Sequence, residues 1–230
     1  MIKGITLFIF IAFSFIIMFI NTPTSRVGSG FMVGDGNYIV TSSDLISDAN
    51  VITIRFPNED SIKAKIINSN PINNIAILKL INPPKTQRTP MLYSNNNYYN
   101  RKNYVFTYGY PWTNTRQDKY RLIEGSLISS IKMTDNLIRF EMPLDSIHRG
   151  NPLLNAQGEI IGMILTVQNK FGKNKISKFF HQAINVSVLK QELGKQNLYD
   201  RHSSNPIHTI PENSKYIEEI KNNIVLIEAN

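Results

Sequence analysis

Short apolar runs separated by turn residues recur between residues 26 and 195 and predict a chain built mostly of β-strands. Val51–Phe56 alternates apolar and polar positions, which is typical of a half-buried strand. Ile75–Leu80 and Ile160–Leu165 are nearly continuous apolar runs, which predict further strands. Between Gly28 and Thr41 the turn Gly34–Asn37 separates two apolar segments and predicts a hairpin.

The segment Asp145–Leu165 combines the strongest turn and strand signals of the chain. A polar turn with Gly150 and Pro152 leads into the apolar run Pro152–Leu154, and a second turn at Asn155–Gly158 precedes the strand from Ile160. This order predicts a loop that feeds a β-hairpin. Gln168–Lys178 is expected to be a basic loop, and Val186–Leu193 a helix that Gly194 ends.

The two ends differ from this β pattern. Ile5–Ile20 carries no charge and follows Lys3, and it is somewhat shorter than the about 20 residues of a spanning helix. We expect residues 1–25 to be a membrane anchor with its N-terminus in the cytoplasm, which places the remaining chain on the extracytoplasmic, periplasmic-type side. Cleavage as a signal segment, followed by secretion, is the alternative.

The C-terminal part is predicted to contain a linker and a small helix–strand unit. The linker covers residues 196–212, which are polar and contain Pro206 and Pro211. Residues 213–230 then carry a helical segment and the apolar run Ile224–Ile227. The main domain is expected to span residues 26–195.

Composition excludes several kinds of catalytic and metal site in this chain. The 230 residues carry a formal net charge of +8 and no cysteine, which excludes disulfides, thiol catalysis and thiolate metal sites. Lysine and arginine form no run of five, so nucleic acid is not expected as a partner. No cofactor is expected, and the spacing of His181, His202 and His208 fits no metal site.

Six separate motifs resemble trypsin-like serine proteases of the HtrA/DegP type. They are Gly28–Phe31, Tyr38–Ile46, Asn70–Lys79, Tyr104–Pro111, Glu124–Ser130 and the loop around Gly150. The resemblance spans Gly28 to about Leu193 with consistent spacing. It implies a mostly β, two-barrel fold of the chymotrypsin/trypsin type, to which the sequence adds an N-terminal apolar helix and a short C-terminal helix and strand.

The resemblance also places the family's catalytic positions in this chain. Its histidine falls on Asp44, its aspartate on Asn74 and its nucleophilic serine on Arg149. Arginine has no nucleophilic atom. In the oxyanion loop formed by Ile147, His148 and Gly150, the family places a glycine where this chain has Ile147, and a β-branched residue tolerates positive φ poorly. We therefore interpret the chain as a protein that is not an enzyme and that acts by binding a protein or peptide.

Two other functions stay open at this point. An active serine-type hydrolase would need non-standard residues, for example His148 with Ser42 or Ser43, although we expect His148 to face solvent. A basic scaffold protein at the membrane surface is the other alternative. An active paralogue is one expected partner, and self-association is compatible with the sequence.

Two structural expectations follow from the resemblance. The family has a short helix and a strand before the hairpin at Gly28, and the similar segment of this chain is Ile224–Ile227. We expect that strand to pair in the N-terminal barrel, either of its own chain or of another copy. Arg149 and Asp44 are expected to form an ion pair between the barrels, with Asn74 as a neutral third member.

Overall fold

A computed structural model describes residues 25–57, 61–83, 88, 90–96, 98–110, 120–132, 134–171, 177–199 and 215–230. Residues 1–24 of the expected anchor and residues 200–212 of the expected linker lie outside the described residues. Within the described ranges, no helix is both long and apolar enough to cross a membrane.

Fourteen strands account for most of the described chain. Their bounds are β1 Arg26–Val33, β2 Tyr38–Thr41, β3 Ile52–Arg55, β4 Ile62–Asn70, β5 Ile75–Leu80, β6 Tyr98–Tyr99, β7 Tyr104–Gly109, β8 Arg121–Leu127, β9 Ile131–Lys132, β10 Leu137–Glu141, β11 Pro152–Asn155, β12 Ile160–Phe171, β13 Ser177–Asn185 and β14 Ile224–Ala229. The helices are α1 Ser43–Ile46, α2 Val186–Lys195 and α3 Lys215–Asn223, and a 3-10 turn covers Ser146–His148.

Twelve of these strands form two closed barrels, which confirms the predicted mostly β, two-barrel fold. The first barrel has the order β1-β14-β3-β4-β5-β2, and the second has the order β10-β13-β12-β11-β7-β8. Strands β6 and β9 form a separate two-stranded sheet.

The C-terminal strand β14 closes the first barrel. It runs antiparallel to β1 from Arg26 opposite Ala229 to Phe31 opposite Ile224. On its other side it pairs with β3, where Arg55 lies opposite Leu226. Because β1 and β3 have no direct pairing in this order, β14 supplies the hydrogen bonds that both strand edges need.

Alternating side chains of the same strands divide the apolar core into three parts. In β5, Ala76 and Leu78 pack inside the first barrel, whereas Ile75 and Ile77 belong to a layer between the barrels. This layer also receives Leu154 of the second barrel and Leu189 of α2. The continuous apolar run in β5 is therefore explained by burial on both faces.

Two boundaries differ from the sequence predictions. Residues 168–171 and 177–178 of the loop expected at Gln168–Lys178 are strand, because β12 and β13 continue their pairing as far as Phe171 opposite Ser177. Helix α2 does not end at Gly194 but continues to Lys195, and Asn197 takes the left-handed conformation with φ 55°. The Leu198 N–H donates to the Leu193 carbonyl, which satisfies the helix end in place of a terminal glycine.

Candidate functional site

The loop between β10 and β11 forms a compact turn in front of the second barrel. The 3-10 turn Ser146–His148 directs the N–H of Arg149 onto the carbonyl of Ser146 at 3.2 Å. Ile147 lies inside this turn and is absent from the positive-φ residues of the described chain. The chain thus accommodates a β-branched residue by a 3-10 turn, and the positive φ expected to conflict with it does not arise.

Gly150 takes the unusual backbone conformation of this loop. Its φ is 89°, and a Cβ there would lie 2.0 Å from the carbonyl oxygen of Ser29. Only glycine combines this φ with so close an approach of two main chains. Gly150 therefore allows a loop of the second barrel to contact strand β1 of the first.

Strand β1 holds this loop through its residue Ser29, which is fully buried. The Ser29 N–H donates to the Arg149 carbonyl at 2.7 Å. Its hydroxyl donates to the Ile147 carbonyl at 2.7 Å, and its own carbonyl accepts from the Thr41 hydroxyl at 2.7 Å. The main chain at 147–149 is consequently fixed to the first barrel.

Asp44 and Arg149 form the expected ion pair between the barrels. Arg149 Nη1 lies 3.3 Å from Asp44 Oδ2, and the two side chains are 32% and 47% exposed. The other carboxylate oxygen, Oδ1, accepts from the hydroxyl of Ser42. The contact is single and partly solvated, so its contribution to stability is small compared with a buried pair.

Asn74 lies beside Asp44 but contacts its main chain and not the ion pair. Its Oδ1 accepts from the Asp44 N–H at 2.9 Å and from the Ser43 hydroxyl at 2.9 Å. Asn74 has φ 50°, a conformation that asparagine tolerates better than most residues. Asn74 therefore fixes the start of α1 and with it the position of the Asp44 carboxylate.

His148 is buried, contrary to the expectation that it faces solvent. Its side chain is oriented inward because Nδ1 accepts from the Asp145 N–H at 3.0 Å, within the same short turn. Residue exposure is only 6%. Burial lowers the pKa of the imidazole below 6.5, although the main chain and charge of Asp145 act in the opposite direction.

The considered pairing of His148 with Ser42 or Ser43 is not seen in this structure. The hydrogen bonds of the imidazole go to the main chain of Asp145. Ser42 is fully buried and donates to Asp44, and Ser43 donates to Asn74. Both hydroxyls therefore serve to hold the Asp44 region together.

Next to this loop, one edge of strand β12 is not paired with any other described strand. β11 pairs with β12 only up to Met163, and Ile164 exchanges hydrogen bonds with Gly150 and Asn151 on that same side. From residue 165 to residue 171, β13 is the only described strand that pairs with β12. We call residues 165–171 the free edge of β12. It continues directly from the loop that carries Arg149.

Sequence reasoning missed Arg26 as a member of this site. Its Nη1 donates to the Asp44 carbonyl at 3.1 Å and to the Ser47 hydroxyl at 2.8 Å. Arg26 begins β1, and only the pairing of distant strands brings it to α1, so no local motif could reveal it. Within the described residues, no group of three or more His, Cys, Asp or Glu side chains could hold a metal ion.

Comparison with known proteins assigns the chain to a family. Residues 28–163, more than half of the chain, match the trypsin-like peptidase domain. Probable periplasmic serine endoproteases, DegP-like, are similar over part of their length. The relative from Brucella suis is 25% identical to this chain over 146 residues, which cover 59% of this chain. The relative from Pseudomonas fluorescens is 25% identical over 150 residues, which cover 64% of this chain. The alignments cover only 26% and 30% of those relatives.

These matches correct one interpretation from the sequence. The relatives are named serine endoproteases, and this finding contradicts the statement that the chain is not an enzyme. That statement rested on three side-chain types, whereas the match covers residues 28–163, which include the loops of Asp44, Asn74 and Arg149. The chain belongs to the family of trypsin-like peptidase domains.

Proposed function

We propose that the chain binds polypeptide in an extended conformation along the free edge of β12, beside the contact of the two barrels at Asp44 and Arg149, a region that we call the cleft. The observation that carries this proposal is the free edge of β12 at 165–171, which no described strand covers and which begins where the loop of Arg149 contacts Ile164. An unpaired edge offers a row of main-chain N–H and C=O groups to an added strand. Polypeptide is also the substrate class that the names of the relatives imply.

Binding of a polypeptide and its cleavage would depend on different groups of this site. Residue 149 is an arginine, which offers donors and positive charge but no nucleophile. Hydrolysis of a bound polypeptide would therefore need another nucleophile, and Ser42 and Ser43 use their hydroxyls for Asp44 and Asn74 in this conformation. Binding along β12 depends on none of these groups, so the two activities need separate measurements.

The proposal is tested by fluorescence anisotropy with the full chain and labelled fragments of unfolded casein. We expect saturable binding that unlabelled fragments displace. A short Val- and Thr-rich peptide should bind in the same way and lose affinity when its alternate residues are N-methylated, because strand addition needs their N–H groups. Equal binding of the methylated peptide, or no binding at all, would overturn the proposal. The size of the fragments on a gel reports cleavage independently.

We also propose that the domain works outside the cytoplasm and is tethered by its N-terminal segment. Two observations support this proposal. The relatives are named periplasmic, and the uncharged run Ile5–Ile20 follows Lys3. Alkaline extraction of membranes provides the test. A tethered chain stays with the membrane pellet and is digested only when protease reaches the extracytoplasmic side. Release into the supernatant would contradict tethering.

A further inference from the structure

We propose that Arg149 is a receptor for a carboxylate of the polypeptide bound in the cleft. This inference rests on the proposed polypeptide binding and adds a specificity to it. Arg149 follows the 3-10 turn of the second barrel and directly precedes Gly150, whose N–H bonds to Ile164 at 2.8 Å. A polypeptide that continues from the free edge of β12 past Ile164 therefore reaches the main chain that carries Arg149.

The base of the Arg149 side chain is fixed, while its guanidinium uses only part of its hydrogen-bonding capacity. Its main-chain carbonyl accepts from Ser29 and its main-chain N–H donates to Ser146, so the base of the side chain is fixed. Among the described residues, the guanidinium contacts Asp44 through Nη1, and the side chain is 32% exposed. Arginine has five N–H donors in a planar fork, which suits a carboxylate in bidentate geometry.

The existing partner of Arg149 is weak enough to be exchanged. The Nη1–Oδ2 distance of 3.3 Å exceeds the about 2.7–2.9 Å of a charge-assisted hydrogen bond. Asp44 has further partners that would remain, since Ser42 donates to its Oδ1. A ligand carboxylate that approaches through solvent can form two parallel bonds to Arg149, where Asp44 forms one.

The charge around Asp44 also favours an anionic ligand. Two guanidinium groups contact this residue, Arg149 at the carboxylate and Arg26 at the main-chain carbonyl. In the described part of the chain, Asp44 is the acidic residue that pairs with Arg149. Arg26 and Arg149 thus bring two positive charges close to the single carboxylate of Asp44.

Matched peptides test this inference with the full chain. The probe is a labelled Val- and Thr-rich peptide that carries one Glu, compared with the same peptide carrying Gln, each with a free or an amidated C-terminus. We expect a carboxylate-bearing peptide to bind about tenfold tighter than the Gln, amidated form. The four combinations show whether the side-chain or the terminal carboxylate is recognised.

Variants locate the recognition. Arg149→Gln should abolish the preference for a carboxylate, whereas Arg139→Gln removes the same charge from an exposed position of β10 and should retain it. Asp44→Asn should strengthen binding of carboxylate peptides, because it removes the competitor. If all four peptides bind equally, or if Arg149→Gln retains the preference, the inference is wrong while polypeptide binding stands. If none of the peptides binds, the proposed function itself is wrong.

Discussion

At the scale of single residues, Gly150 has the strictest requirement of the site. It combines φ 89° with a main-chain contact that leaves no room for a Cβ. We expect Gly150→Ala to lower the free energy of unfolding by at least about 2 kcal/mol, measured by urea unfolding. Gly194→Ala is the matched control, because nothing lies within 4 Å of its added Cβ, and a helical alanine should stabilise by up to about 1 kcal/mol. Equal effects of the two substitutions would show that the loop does not depend on Gly150.

The ion pair of Arg149 and Asp44 should contribute little to stability. Both side chains are partly exposed and share one contact of 3.3 Å. We therefore expect Arg149→Ala and Asp44→Ala each to change the free energy of unfolding by less than about 1 kcal/mol, with little coupling in the double variant. A double-mutant cycle in urea measures this. A loss of several kcal/mol in each single variant, recovered in the double, would show instead that the pair is a buried bridge.

Buried His148 makes stability depend on pH in a defined direction. Burial lowers the pKa of its imidazole in the folded protein, while the unfolded chain keeps a pKa near 6.5. Below that pH the unfolded state therefore binds more protons than the folded state. The stabilising effect of the neutral, buried imidazole is complete above pH 6.5 and declines as the pH falls. Urea unfolding at pH 7.5 and pH 5.5 should show a loss of at most about 1.4 kcal/mol per pH unit from this group. In His148→Gln the loss should be smaller, and an unchanged slope would exclude His148 as its source.

The sequence located neighbouring loops of the site but did not predict the local hydrogen bonds of its side chains. Asp44, Asn74 and Arg149 do come together, because their loops sit at fixed places in the fold. The burial of His148 and the helical turn at Ile147 depend on how a few residues bond to one another within the turn. Such bonds have no periodicity that a sequence pattern could reveal.

At the scale of elements, β14 has the largest consequence for stability. Ile227 is fully buried inside the first barrel, and its strand joins β1 to β3. We expect Ile227→Ala to lower the free energy of unfolding by about 2–5 kcal/mol, measured by urea unfolding. The control is Ile72→Ala. The Ile72 side chain is 95% exposed, so its truncation should change the free energy of unfolding by less than about 0.5 kcal/mol. A small effect at Ile227 would mean that the barrel closes without this strand.

Apolar periodicity predicted most strands and helices. The boundaries that it predicted wrongly have identifiable causes. The polar residues after Leu165 suggested a loop, but the paired main chains of β12 and β13 continue through them. Hydrogen bonds between strands join main-chain groups and do not need apolar side chains. Gly194 suggested a helix end, yet Asn197 takes the left-handed position that ends α2.

At the scale of the whole molecule, the interface between the barrels determines what the cleft can do. Strand β1 of the first barrel holds the loop of the second through Ser29, and Asp44 reaches Arg149 across the same interface. The free edge of β12 starts at this point. The two-barrel architecture followed from the sequence motifs, whereas the free edge became visible only from the register of strand pairing.

The most direct test of this account is hydrogen–deuterium exchange of the full chain with and without a saturating Val- and Thr-rich peptide. Strand addition at the free edge should slow exchange of main-chain amides in residues 165–171 and in the neighbouring loop 145–151, while β4 and β14 in the first barrel stay unchanged. Protection confined to other surfaces, with unchanged exchange at 165–171, would contradict polypeptide binding along β12.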